Sequence, residues 1–93
     1  ARTPELAAGY HGRADALRVN GRPAEALADY DRALALEPRR AGAYLGRALA
    51  RAELGESPEP DAQLALEHGL TPDQRRAAQS LLASSAAELA ALP

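Results

Sequence analysis

Twelve residues, YHGRADALRVNG at 10–21, return 34 positions later as YLGRALARAELG at 44–55. Tyr10 falls on Tyr44, Gly12 on Gly46, Arg13 on Arg47, Ala14 on Ala48, Ala16 on Ala50 and Gly21 on Gly55. A repeated segment of this length is one supersecondary unit. It cannot bury its apolar side alone and must stack on its neighbour. With 93 residues there is room for one domain, and such a short chain has a modest core.

Each unit divides into two helices. The apolar residues are mostly Ala and Leu, with a single Val at Val19, three Tyr, and no Phe, Met or Trp. Ala and Leu lose little on entering a helix, and the β-branched and aromatic residues that favour sheet are nearly missing. Thr3, Pro4 and Glu5 predict an N-cap, a proline at the first helical position and an acid in the first turn. That helix runs over 4–19 and ends at Asn20–Gly21. Pro23 opens a second helix over 23–36, with Ala26, Leu27, Tyr30, Ala33 and Leu34 at helical spacing, and Pro38 closes it through the pre-proline Glu37. The same reading predicts helices over 41–54 and 59–68, with turns at Gly55 and Gly69. Leu70 is expected to fold back on Leu64. "TPDQ" at 71–74 is a capping box, opening a last helix over 72–91. The apolar stripe of that helix is Ala78, Leu81, Leu82, Ala86 and Leu89, with Glu88 on its polar side.

This pattern resembles the tetratricopeptide repeat. In residues 7–40, Ala26, Tyr30, Ala33 and Pro38 stand at the repeat's spacings. Tyr10 stands in the place of its Trp, Ala14 in that of its small Gly and Leu17 in that of its Tyr, while Arg13 replaces its Leu. Residues 41–74 match in their first half and at Pro72, but carry Pro60, Leu64 and Glu67 where the repeat has Ala, an aromatic and Ala. The resemblance implies an all-α, right-handed antiparallel helix-pair solenoid of five helices: repeat one about 7–40, repeat two about 41–74 and a capping helix about 72–91. A cap needs one polar face. Two repeats are fewer than such arrays usually need, so self-association or contact with further repeats of a larger chain is expected.

The chemistry-bearing residues are sparse. Without Cys there is no disulfide framework and no cysteine metal site, and no cofactor, metal site or catalytic set is expected. A net charge of −2 gives no pull toward nucleic acid, and the arginine pairs 39–40 and 75–76 lack interleaved aromatics. No apolar run approaches the ~18 residues of a membrane span. His11 and Asp15 are four apart on one helix and read as an exposed pair with a weak attraction. His68 ends a helix and interacts with its negative end. Gly9 and Gly12 are expected to permit close helix approach. Arg13 and Arg47 repeat at the period, on the side facing the partner helix. Both are expected to be buried and paired with an acid, Asp29 or Asp31, because a buried arginine without a carboxylate is costly.

The resemblance further implies that the first helices of the units line a concave groove that binds a peptide or a partner helix. Mapped onto this chain, the groove residues are His11, Asp15, Arg18, Leu45, Leu49 and Ala52. Leu45 and Leu49 are expected to be at least partly exposed and to form its centre. Some members of the family clamp a C-terminal carboxylate; Asp15 would repel one here. The alternative is a structural end segment of a larger secretion or envelope protein, or a helical-repeat appendage of an enzyme.

Overall fold

The computed structural model describes residues 3–91, with side chains from Glu5 to Ser84. The predicted roles of Thr3 as a cap and of Ala86, Glu88 and Leu89 on the last helix lie outside the described side chains. Five helices follow one another: α1 (Thr3–Val19), α2 (Pro23–Leu36), α3 (Ala41–Glu53), α4 (Glu59–Glu67) and α5 (Pro72–Ala91). No strand occurs among the described residues. The predicted boundaries are met to within one residue.

The repeat seen in the sequence is also a repeat of hydrogen bonds. Gly21 and Gly55 both take φ +79°, the left-handed region open to glycine. At the first turn the Arg22 amide bonds back to the Leu17 carbonyl at 2.8 Å; at the second, the Glu56 amide bonds to the Arg51 carbonyl at the same 2.8 Å. Both are the wrapped helix end that satisfies otherwise orphaned carbonyls. Gly69, at φ +90°, closes α4. The capping box at the start of α5 forms in both directions: the Gln74 amide donates to Thr71 Oγ1 at 3.2 Å, and the Thr71 amide to Gln74 Oε1 at 3.1 Å.

Each helix packs on the next, α1 on α2 through to α4 on α5, and the first helices also touch across the units, α1 with α3 and α3 with α5. The molecule is 51 Å long and 20 Å at its narrowest. Such nearest-neighbour stacking is compatible with a helical-repeat solenoid. Two apolar clusters fill it. One joins Ala14, Ala26, Tyr30, Ala33, Leu34, Ala43 and Ala50 across α1, α2 and α3. The other joins Ala41, Leu45, Ala48, Ala62, Ala65, Leu70 and Ala78 across α3, α4 and α5. Alanine dominates both, so the helix axes lie close and the few large side chains do the space-filling. Tyr30 is fully buried, and its ring lies so near Gly46 that a Cβ there would fall inside 3.0 Å of it.

Two expectations fail here. Leu45 is 6% exposed and belongs to the second cluster, against expectation, while Leu49 keeps part of its surface, as expected, and packs at the margin of the same cluster. Leu45 is covered from within the chain, in a cluster to which α4 brings Ala62 and Ala65, the turn after it Leu70, and α5 Ala78. Nor does any described part of the chain approach Gly9 or Gly12 closely: a Cβ at either would meet nothing within 4 Å. The close approaches fall at Gly46, against Tyr30, and at Gly42, against the His11 ring.

Candidate functional site

Tyr30 of α2 inserts between α1 and α3, and its hydroxyl is the hub of a polar chain across the two first helices. The hydroxyl donates to Asp15 Oδ1 and accepts from Arg18 Nε at 3.3 Å. Arg18 Nη1 lies 3.7 Å from Glu53 on α3. On its other side Asp15 faces His11 Nε2 at 3.4 Å, and His11 Nδ1 accepts from Arg40 Nε at 3.0 Å. Arg40 in turn pairs with Glu37. The chain Glu37–Arg40–His11–Asp15–Tyr30–Arg18–Glu53 thus alternates donors and acceptors from the end of α2 to the end of α3.

Each group's proton is set by its neighbours. Burial pushes the Tyr30 hydroxyl well above its usual range, and the Asp15 carboxylate beside it pushes the same way. The phenol therefore stays protonated and keeps donating. Burial pushes His11 below its ordinary value of 6.5, and Arg40 adds to this while Asp15 opposes it. With Nδ1 accepting from Arg40, the ring is neutral and carries its hydrogen on Nε2, facing Asp15. For Arg18 burial works against the charge, and the bonds and charges of Tyr30, Asp15 and Glu53 outweigh it.

Three predicted groove residues, His11, Asp15 and Arg18, are thus brought together by one network. Ala52 is exposed on the last turn of α3, and Leu49 is half-buried. Leu45 is withdrawn from the surface. His11 is not the exposed partner expected: its ring is mostly covered, tilted against Tyr30 at 6.0 Å between centroids. The sequence reading missed Tyr30 as a polar group, and with it Arg40, Glu37 and Glu53. A glycine 16 residues after Tyr30, at Gly46, is the one signal that the tyrosine reaches the next unit.

The repeated arginines form a second set on another side. Arg13 binds Asp29 through Nε at 2.6 Å and Nη2 at 2.7 Å, and Arg32 adds a third contact to Asp29 at 2.9 Å. Arg47 binds Asp61 through Nε at 3.0 Å and Nη2 at 2.7 Å, and reaches Asp31 of α2 with Nη1 at 2.9 Å. The pairing of each arginine with an acid holds, and Asp29 is correct for Arg13. For Arg47 the main partner is Asp61, which lies 32 residues after Asp29 and so off the 34-residue period. Arg51 Nε also lies 3.0 Å from Asp61, near enough for attraction but misaligned for a hydrogen bond. The predicted burial is corrected for Arg13: its side chain is 61% exposed, because the carboxylate and not the guanidinium enters the core. Each arginine also covers the tyrosine three residues before it, Arg13 over Tyr10 at 5.7 Å and Arg47 over Tyr44 at 5.5 Å. Tyr44 stacks on His68 at 5.5 Å.

Among the described residues no helix is long and apolar enough to cross a membrane. In comparison with known proteins, a family model described as Tetratricopeptide repeat matches residues 7–40. No curated protein and no solved structure gives a significant match. Repeats of this kind are in general non-catalytic modules that bind other proteins.

Proposed function

We propose, from the premise that this chain is a protein of the tetratricopeptide-repeat type, that the surface of α1 and α3 bearing the Tyr30 network binds an extended peptide or a partner helix. The observation that carries this reading is the network itself. Its charged groups are fixed in place by one another, so a partner would meet a preorganised surface and little side-chain freedom would be lost on binding. Asp15 is its most open carboxylate, with Glu53 nearby. Those two acids favour a partner segment carrying Lys or Arg, and Ala52 with the free edge of Leu49 favours an apolar residue beside it. His11 and Arg18 set the rim. Asp15 disfavours a terminal carboxylate in the same place.

Peptides selected from a random display library against the intact chain test this. Binders enriched in a basic residue next to an apolar one are expected. Their affinity should fall about fivefold or more in Asp15→Asn and in Arg18→Gln, the loss typical of a contact that contributes to binding. Both variants keep a polar side chain able to hydrogen-bond the Tyr30 hydroxyl and remove no apolar group of either cluster, so cooperative melting is retained. Selected peptides that bind both folded variants as well as the parent would exclude this surface.

A further inference from the structure

The 34-residue offset lets one face of the molecule be compared with another. On α3, the face of Ala43, Gly46 and Ala50 is buried, and α2 is what covers it. The Tyr30 ring lies over Gly46, and the next residue, Asp31, takes a 2.9 Å bond from Arg47 Nη1. The remaining two donors used by Arg47, Nε and Nη2, hold Asp61 of its own helix pair. An aromatic residue followed at once by an acid is therefore what docks one helix onto this kind of face.

The offset puts Gly9, Gly12 and Ala16 of α1 at the same positions, and here all three are exposed. Arg13 holds Asp29 with Nε and Nη2, just as Arg47 holds Asp61. Its Nη1, the atom Arg47 gives to Asp31, makes no hydrogen bond among the described residues. The two ends of the face carry Leu6, 54% exposed, and Val19, 75% exposed, although large apolar side chains gain from being covered. A hollow of about 230 Å3 opens between Glu5, Leu6, Gly9, Tyr10 and Arg13, with the acid at its N-terminal end, a turn or more of helix from Gly12 and Arg13.

We infer that this face of α1 docks a partner helix that carries an aromatic residue followed immediately by Asp or Glu, the ring over Gly12 and the carboxylate on Arg13 Nη1. The apolar ends and the free arginine donor match such a helix in both hydrophobicity and charge. A second copy of the chain does not supply it. The sequence has three aromatic residues, of which Tyr30 is already buried, and Tyr10 and Tyr44 are followed by His11 and Leu45 and not by an acid. This surface is separate from the Tyr30 network, and the proposal stands or falls independently of that site.

The probe is a synthetic peptide of residues 22–40, the natural helix that docks this way on α3, titrated into the intact 15N-labelled chain. Saturable amide shifts are expected at Gly9, Gly12 and Ala16. Peptides with Tyr30→Ala or Asp31→Asn should bind about fivefold or more weakly. Gly12→Leu should abolish binding while the chain melts no lower than the parent, since that Cβ meets nothing and leucine is the better helix former. The inference is overturned by the absence of saturable shifts on α1 at the highest soluble peptide concentration. It is equally overturned by shifts that survive Gly12→Leu, or by concentration-dependent dimerisation that protects the same amides without peptide.

Discussion

Arg13 stands in solvent and Asp29 stands in the core, 2% exposed, yet the two meet in a bidentate pair at 2.6 and 2.7 Å. A guanidinium carries its charge at the end of a long apolar stem and keeps water on its far side, so the desolvated member is the carboxylate. The hydrogen bond from Arg13, with help from Arg32, holds the Asp29 carboxyl below its ordinary range against the effect of burial. Asp29→Asn leaves two exposed arginines that water can solvate. Arg13→Ala leaves a buried carboxylate with Arg32 alone. Thermal melts at pH 7 are therefore expected to place Arg13→Ala below Asp29→Asn, and the reverse order would mean that the arginine is the costlier group to strand.

Arg47 is the deeper of the two repeated arginines, and its acids are unequal. Asp61 is buried and Asp31 exposed. Losing Arg47 strands Asp61 with the misaligned Arg51, so Arg47→Met is expected to cost about 3 kcal/mol in urea unfolding. Asp31→Asn removes only an exposed partner and should cost less than about 1 kcal/mol. Equal losses from the two variants would contradict this division.

The glycines at equivalent positions should respond in opposite directions. At Gly46 a Cβ would run into the buried Tyr30 ring, whose displacement disturbs the core of α1, α2 and α3 at once. Overpacking of this kind costs about 1–3 kcal/mol, more than alanine's helix preference returns. At Gly12 the space is open, and Gly12→Ala should raise stability by about 0.5–1 kcal/mol. Denaturant midpoints of the two single variants check both signs.

These contrasts show where the sequence was informative. Helix ends are written locally, in Asn20–Gly21, Pro23, Pro38 and the Thr71 box, so all five helices were legible to within a residue. Which face of a helix is covered depends on its neighbours. Gly12 and Gly46 are the same residue in the same local pattern, yet one is open and the other lies under a tyrosine. An acid of α2 was expected for Arg47, and Asp31 does bind it, but the bidentate partner is Asp61 of α4, two residues out of register with Asp29. Leu45 stands at a groove position of the repeat, and what buries it, Ala62 and Ala65 of α4 with Leu70 and Ala78, is set by how those elements stack and not by the residues beside it in sequence.

The cap of α5 has consequences for that covering. Thr71 and Gln74 satisfy each other's backbone donors, and the helix they start carries Ala78, Leu81 and Leu82 onto α3 and α4. Thr71→Ala is expected to cost about 1 kcal/mol. Hydrogen exchange should show the loss first in the opening turn of α5. Unchanged protection there, with a lowered melting temperature, would place the effect elsewhere.

His11 gives the fold a dependence on pH. Its folded pKa lies below the 6.5 of an unfolded chain, chiefly through burial and then through Arg40. The unfolded state therefore takes up the proton first as pH falls, and stability that is full above 6.5 is lost as pH falls through the lower folded value. Protonation puts a hydrogen on Nδ1, the atom that accepts from Arg40 Nε, so the Arg40–His11 link is the one that breaks. The bond from Nε2 toward Asp15 can persist. Urea midpoints measured from pH 8 to pH 5 should thus be level at first and then decline below about 6.5. His11→Gln, which carries no titrating proton in this range, should flatten the decline. The Asp29 pair does not confound the result, because its loss lies below the ordinary carboxylate range. A parent and a His11→Gln variant with the same slope between pH 6.5 and pH 5 would show that His11 is not the group responsible.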